Sequence, residues 1–254
     1  MCAIVGSFHP AARGADSGVI ARMRDRMAMT NRNQTVAITY NDEIDNHAEV
    51  RRELQALGKY ERKTDHSDTE ALLHAYEEWG LDALKRFYGM FAVGIYDARD
   101  PACPVLNLAR DRVGIKPMYF ARTRSGEWLF AAEIRTIVAH PDITPEMDRT
   151  AFWHYLTFIV APAPLTMFRR IFKLPAGHTM SIDHTGHASV RQFWDCRPDR
   201  SVGTKKRARA DQARLSVRPG CVEEDRVPCA RPDALLQRSE FFTGGVRPLV
   251  RDLD

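Results

Sequence analysis

The chain has 254 residues, 44% hydrophobic and 28% charged, a composition that can bury the core of one large or two modest domains. No window approaches the ~20 apolar residues of a membrane span and the first residues lack the basic and apolar regions of a secretory leader, so no membrane partner and a cytoplasmic location are expected. The net charge of +4 does not argue for nucleic acid, because 13 basic and 9 acidic residues follow Cys196 and 24 of each precede it.

In chain order, MCAIVGSF (1–8) and TVAITYN (35–41) read as strands, rich in β-branched residues and partly alternating. Asn46 to Leu57 carries helix formers. Asp68 to Trp79 is predicted as a helix with Ser67 at its N-cap and Glu70 three residues on, and its apolar Leu72, Leu73, Tyr76 and Trp79 recur at helical spacing. Four strand candidates follow at 90–97, 105–110, 118–122 and 128–133, joined by short turn-prone segments that favour antiparallel pairing. Helical patterns return at 133–140 and 149–155. A run of strands with helices before and after predicts an α+β layered fold rather than a doubly wound parallel sheet.

The pattern dissolves after Cys196. Residues 197–254 are rich in Arg and Pro, hold two adjacent phenylalanines as their only aromatics, and are expected to form an irregular, disordered tail without a core of their own. The Arg, Ala, Pro and Gly richness also fits out-of-frame translation of a GC-rich gene. The five cysteines, at 2, 103, 196, 221 and 229, show no CxxC spacing and no adjacent His pair, so neither a disulfide framework nor a metal site is expected.

MCAIVGSF, YNDEIDNHAEVRREL (40–54), HSDTEALLHAYEEWG (66–80), GMFAVGIYD (89–97), ARDRVGIKPMYF (109–120), FAAEIRTI (130–137) and FRRIFKLPAGH (168–178) occur in an order that resembles the glutaminase half of glutamine-hydrolysing asparagine synthetases. The resemblance spans nearly all of residues 1–196. It implies the N-terminal nucleophile fold, a four-layer αββα sandwich with two antiparallel sheets, over an incomplete glutamine amidotransferase domain at 1–196. It also implies a chemistry for position 2. Removal of Met1 leaves Cys2 with a thiol and a free α-amine on one carbon, and an amine of pKa ~7.7–8.0 can accept the proton of a thiol of pKa ~8.5 near neutral pH. Cys2 would then attack the side-chain amide of glutamine. By the same resemblance Asn41 gives its carboxamide and Asp42 its backbone N–H to the oxyanion, and Glu43 and Asp68 receive the α-ammonium group and nearby polar atoms of the substrate. Read from the residues alone, Asn41 and Asp42 could instead end a strand in a turn, and Asp68 could favour a helix start. His47 and His74 are read as surface or packing residues on helices.

The sequence departs from the family pattern in three places. RMAMT (26–30) passes straight to NRNQTVAITYN, without the segment that carries the arginine clamping the glutamine carboxylate; Arg32 is near in sequence only. Asp42 stands where the family has glycine, and Asp45 where an aromatic is common. No pyrophosphate-binding loop is present, Thr243-Gly244-Gly245 being followed by Val-Arg-Pro. The expectation is therefore an amidotransferase domain whose ammonia would serve amide transfer to aspartate by an ATP-dependent domain absent from this chain. The glutaminase half needs no cofactor, ATP and Mg2+ entering only through that absent domain. Glutamine is the expected substrate and a homodimer the assembly the family implies. The alternative is a catalytically inactive remnant acting as an interaction module.

Overall fold

In a computed structural model, residues 4–10, 28–58 and 67–196 are described. Cys2 and the tail after Cys196 therefore lie outside the described residues. Among the described residues ten strands form two antiparallel sheets. The smaller has the order β1 (Val5–Phe8), β7 (Trp128–Ala131), β6 (Tyr119–Arg122), β8 (Ile171–Lys173). The larger runs β10 (Ala188–Gln192), β9 (His178–Ile182), β5 (Val105–Arg110), β4 (Gly89–Asp97), β3 (Val36–Ile44), β2 (Ala28–Thr30).

Three apolar clusters define the layers. Helices α1 (His47–Ala56) and α2 (Asp68–Trp79) bury Val50, Leu54, Leu72 and Leu73 against Val36, Ile38 and Val93 on the outer face of the larger sheet. Ile4, Phe8, Ala92, Leu108, Met118 and Phe130 fill the space between the sheets. The short helix α3 (Ile134–Val138) covers Ala121, Leu129 and Ile171 on the far side of the smaller sheet. The result is the expected α+β sandwich of helix, sheet, sheet, helix. At Gly94 of β4 an added Cβ would lie 2.9 Å from the ring of Phe130 on β7. Glycine at that position lets the two sheets close on a shared phenylalanine.

Helix α2 starts as its sequence predicts, with Ser67 Oγ accepting from Glu70 N at 3.2 Å. Other expectations are corrected. The strand expected at 35–41 continues to Ile44, so Asn41, Asp42 and Glu43 lie inside β3 and do not form a turn after it. The short connections do produce the β4–β5 and β6–β7 pairs, yet β5 and β6 belong to different sheets.

The crossing between them is built by ARDRVGIKP. The carboxylate of Asp111, 0% exposed, accepts four backbone N–H groups: Val113, Gly114 and Ile115 donate to Oδ1 and Lys116 donates to Oδ2, at 2.6–3.1 Å. Arg110 donates in turn to the carbonyls of Gly114, Lys116 and Leu174. Burial lowers the pKa of that guanidinium, with the Asp111 charge opposing. Short strands β2, β8, β9 and β10 were not expected, and Cys103, in the turn after β4, is disulfide-bonded despite the unpatterned cysteine spacing.

Candidate active site

The site is organised by the register of β3. Ala98 N donates to Thr35 O at 2.7 Å and Asp45 N donates to Tyr88 O at 2.9 Å, at the two ends of the β3–β4 ladder. Hydrogen-bonded pairs alternate in an antiparallel ladder, so the odd-numbered residues of β3 turn their N–H and C=O towards β4 and the even-numbered ones turn theirs to the opposite edge. Two bonds at that edge agree: Val36 N donates to Asn31 Oδ1 at 3.1 Å and Ile44 N donates to Asp68 Oδ2 at 3.4 Å. The N–H of Asp42 therefore points to the edge at which Asp68 sits, about 7 Å along the strand from Ile44 N.

Side chains alternate in the other sense. Thr39 faces the inter-sheet layer, since an added Cβ on its partner Gly94 would meet both Thr39 Cγ2 and the Phe130 ring. Asn41 follows on the same face, opposite Ala92, which shares the inter-sheet cluster with Ile4 of the N-terminal segment. Asn41 is only 5% exposed and its carboxamide has no hydrogen-bond partner among the described residues. Glu43, two residues on, is exposed, so the inter-sheet layer meets solvent between these two positions. The register thus puts the Asn41 carboxamide, which is not sealed from solvent, and the backbone N–H of Asp42 at adjacent positions of β3.

Asp68 opens α2 and ties it to β3. Its Oδ1 accepts from Thr69 N at 2.7 Å and from Thr69 Oγ1 at 3.4 Å. Its Oδ2 accepts from Tyr40 Oη at 3.0 Å and from Ile44 N. The reading of Asp68 as a helix-start residue thus holds together with its placement at the Asn41–Glu43 segment, which it brackets through residues 40 and 44. Tyr40 was not singled out from the sequence, because a tyrosine in a strand is ordinary β composition and only the fold brings it to Asp68. Arg51 of α1 was also missed; its Nη2 donates to Ser67 O at 2.8 Å, beside Asp68.

Arg32 is exposed in the turn between β2 and β3. Asn41 stands five residues beyond Val36, so at least about 17 Å of strand separates that turn from it. His47 and His74 lie on α1 and α2 as expected, the former bonded to Ile44 O at 2.9 Å and the latter to Glu77 at 2.9 Å. Among the described residues no group of three or more His, Cys, Asp or Glu could hold a metal ion, and no helix is long and apolar enough to cross a membrane.

Residues 19–194 match the glutamine amidotransferase domain family. Asparagine synthetase [glutamine-hydrolyzing] 3 of Bacillus subtilis is 35% identical over 173 residues, 68% of this chain and 27% of that protein. Asparagine synthetase [glutamine-hydrolyzing] 1 of the same organism is 36% identical over 162 residues, 63% of this chain and 24% of that protein. Among solved structures, the glutamine phosphoribosylpyrophosphate amidotransferase of B. subtilis is similar with a TM-score of 0.42 at 16% identity, covering 65% of this chain and 31% of that one. The chain thus spans about a quarter of the length of these synthetases. With its two antiparallel sheets flanked by helices and the extent of the match, it belongs to the glutamine amidotransferase domain family, as found in asparagine synthetase-like proteins.

Proposed function

We propose that this chain hydrolyses glutamine to glutamate and ammonia, with Cys2, freed of Met1, as nucleophile. The observation that supports the reading is the position of Asn41, largely buried and without a hydrogen bond to the described residues, beside the edge-facing N–H of Asp42. The α-amine of Cys2 takes the thiol proton and the thiolate attacks the amide carbon of glutamine. The carbonyl oxygen becomes an oxyanion and accepts from Asn41 Nδ2 and Asp42 N–H. The proton held by the α-amine passes to the leaving nitrogen, the C–N bond breaks, and ammonia departs from a glutamyl thioester. Water, deprotonated by the same amine, attacks that thioester, and the C–S bond breaks to give glutamate and the thiol.

Glu43 and Asp68 would receive the substrate ammonium. A carboxylate offers about four acceptor positions. At Asp68 the two 3.4 Å contacts, from Ile44 N and Thr69 Oγ1, are the ones an ammonium would displace. The ammonia would serve amide transfer to aspartate by an ATP- and Mg2+-dependent domain, in the part of the longer relatives that this chain does not match; residues 1–196 are the amidotransferase domain and 197–254 a tail.

One observation favours a second reading, an inactive domain that acts through interactions. Arg32 is exposed in a turn about 17 Å or more from Asn41, too far to clamp the substrate carboxylate. Processed protein incubated with glutamine should release glutamate at a rate that Cys2→Ala abolishes. Equal release from the two proteins would leave the inactive reading.

A further inference from the structure

We infer, on the basis of the hydrolysis proposed above in which Asp68 receives the substrate ammonium, that Tyr40 is a positioning residue for specificity. Its hydroxyl sets the carboxylate of Asp68 at the edge of β3, and the site thereby prefers ligands that carry an α-ammonium group.

An aspartate does not fix the plane of its own carboxylate, because rotation about the Cβ–Cγ bond is a broad sp³–sp² torsion. Partners must hold it. Oδ1 of Asp68 has a local one, the N–H of the next residue, Thr69, at 2.7 Å. Among the described residues Oδ2 has one short partner, Tyr40 Oη at 3.0 Å; its other contact, from Ile44 N, is 3.4 Å long. The carboxylate is thus held at both oxygens, and the hold on Oδ2 comes from a different element, 28 residues away in sequence. A hydroxyl donating to an ionised carboxylate makes one of the stronger hydrogen bonds of a fold, and it takes only one of the acceptor positions of that oxygen.

Tyr40 is itself fixed. Its ring packs, half-buried, against the apolar cluster beneath the outer helices, to which the other even-numbered β3 residues Val36, Ile38 and Ile44 belong. A packed ring with two rotatable bonds carries its hydroxyl to a defined point, as a long flexible donor would not. The spacing along the edge also suits glutamine. The N–H of Asp42 lies about 7 Å from Ile44 N, which donates to Asp68. Four bonds separate the amide carbon of extended glutamine from its α-nitrogen, a span of about 5 Å, and the hydrogen bonds at its two ends reach the remainder.

Tyr40→Phe deletes the hydroxyl and keeps the ring. The 254-residue chain freed of Met1, with Cys2→Ala to stop turnover, is titrated calorimetrically with L-glutamine and with glutaramate, the same molecule without its α-amine. Tyr40→Phe should weaken glutamine about tenfold and leave glutaramate unchanged, so that the preference for glutamine collapses. Asp68→Asn should give the same pattern, and adding Tyr40→Phe to it should change nothing more, as for two residues that act through one interaction. With Cys2 restored, Tyr40→Phe should raise KM without lowering kcat. A tyrosine that only packs would weaken both ligands alike or neither, and either result overturns the inference while hydrolysis by the parent stands. Loss of folding in Tyr40→Phe, read by thermal unfolding, would likewise make Tyr40 a structural residue and overturn it. Absence of glutamine binding and of Cys2-dependent glutamate release in the parent would overturn the proposed hydrolysis and this role of Tyr40 together.

Discussion

Asn41 is a largely buried residue whose carboxamide still reaches solvent and holds no hydrogen bond to the described residues. If the carboxamide serves a developing oxyanion, Asn41→Ala should lower the turnover of glutamine about 10²- to 10³-fold with little change in KM. Thermal stability of the variant should not fall, since no hydrogen bond is lost. A variant that loses stability and leaves turnover intact would place Asn41 among packing residues. Asp42 contributes to the proposed oxyanion site through its backbone N–H.

At the level of elements, what could be read from the sequence was local. Helix α2 was legible to the residue, because Ser67 supplies a cap and the apolar spacing follows one face. The strand carrying Asn41 was read three residues short, because Asn-Asp is a turn signal in isolation; here the long pairing with β4 overrides it. The convergence of Tyr40 and Asp68, 28 residues apart, was not legible, since no local signal encodes which helix start meets which strand edge. The motif ARDRVGIKP pointed to the family without showing its own work, which is to redirect the chain from one sheet to the other. Asp111→Ala would leave four backbone N–H groups short of their acceptor and should cost about 3 kcal/mol or more in urea unfolding at neutral pH. Asp111→Asn, which keeps one acceptor oxygen, should cost less. Equal stability of the alanine variant would show that water replaces the carboxylate at this crossing.

At the scale of the whole molecule, a polar network joins α2 to the larger sheet. Tyr76 of α2 donates to Asp97 Oδ2 at the end of β4 at 2.8 Å, and Asn107 Nδ2 of β5 donates to Tyr76 Oη at 3.2 Å. Ser181 of β9 donates to Asn107 Oδ1 at 2.6 Å, and Arg99 donates to both oxygens of Asp97 while lying over the Tyr76 ring. Burial and the adjacent Asp97 charge raise the pKa of Tyr76. Burial alone would raise Asp97, but hydrogen bonds from Arg99 and Tyr76 outweigh it and hold its carboxyl below the usual range. A carboxylate with a lowered folded-state pKa contributes stability that is fully present above its unfolded value of ~3.9 and is lost as pH falls through the lowered folded value, because there the unfolded chain binds the proton more readily. The raised phenol acts at the other end, its contribution being complete below an unfolded pKa of ~10 and lost as pH rises through the folded value. Urea midpoints between pH 6 and pH 2 should therefore fall for the parent protein and fall less steeply for Asp97→Asn. The asparagine variant should already be less stable at pH 6, where Arg99 loses its ionised partner. A parallel fall in the two proteins would mean that Asp97 titrates alike folded and unfolded, and that the network joins α2, β4, β5 and β9 by packing alone.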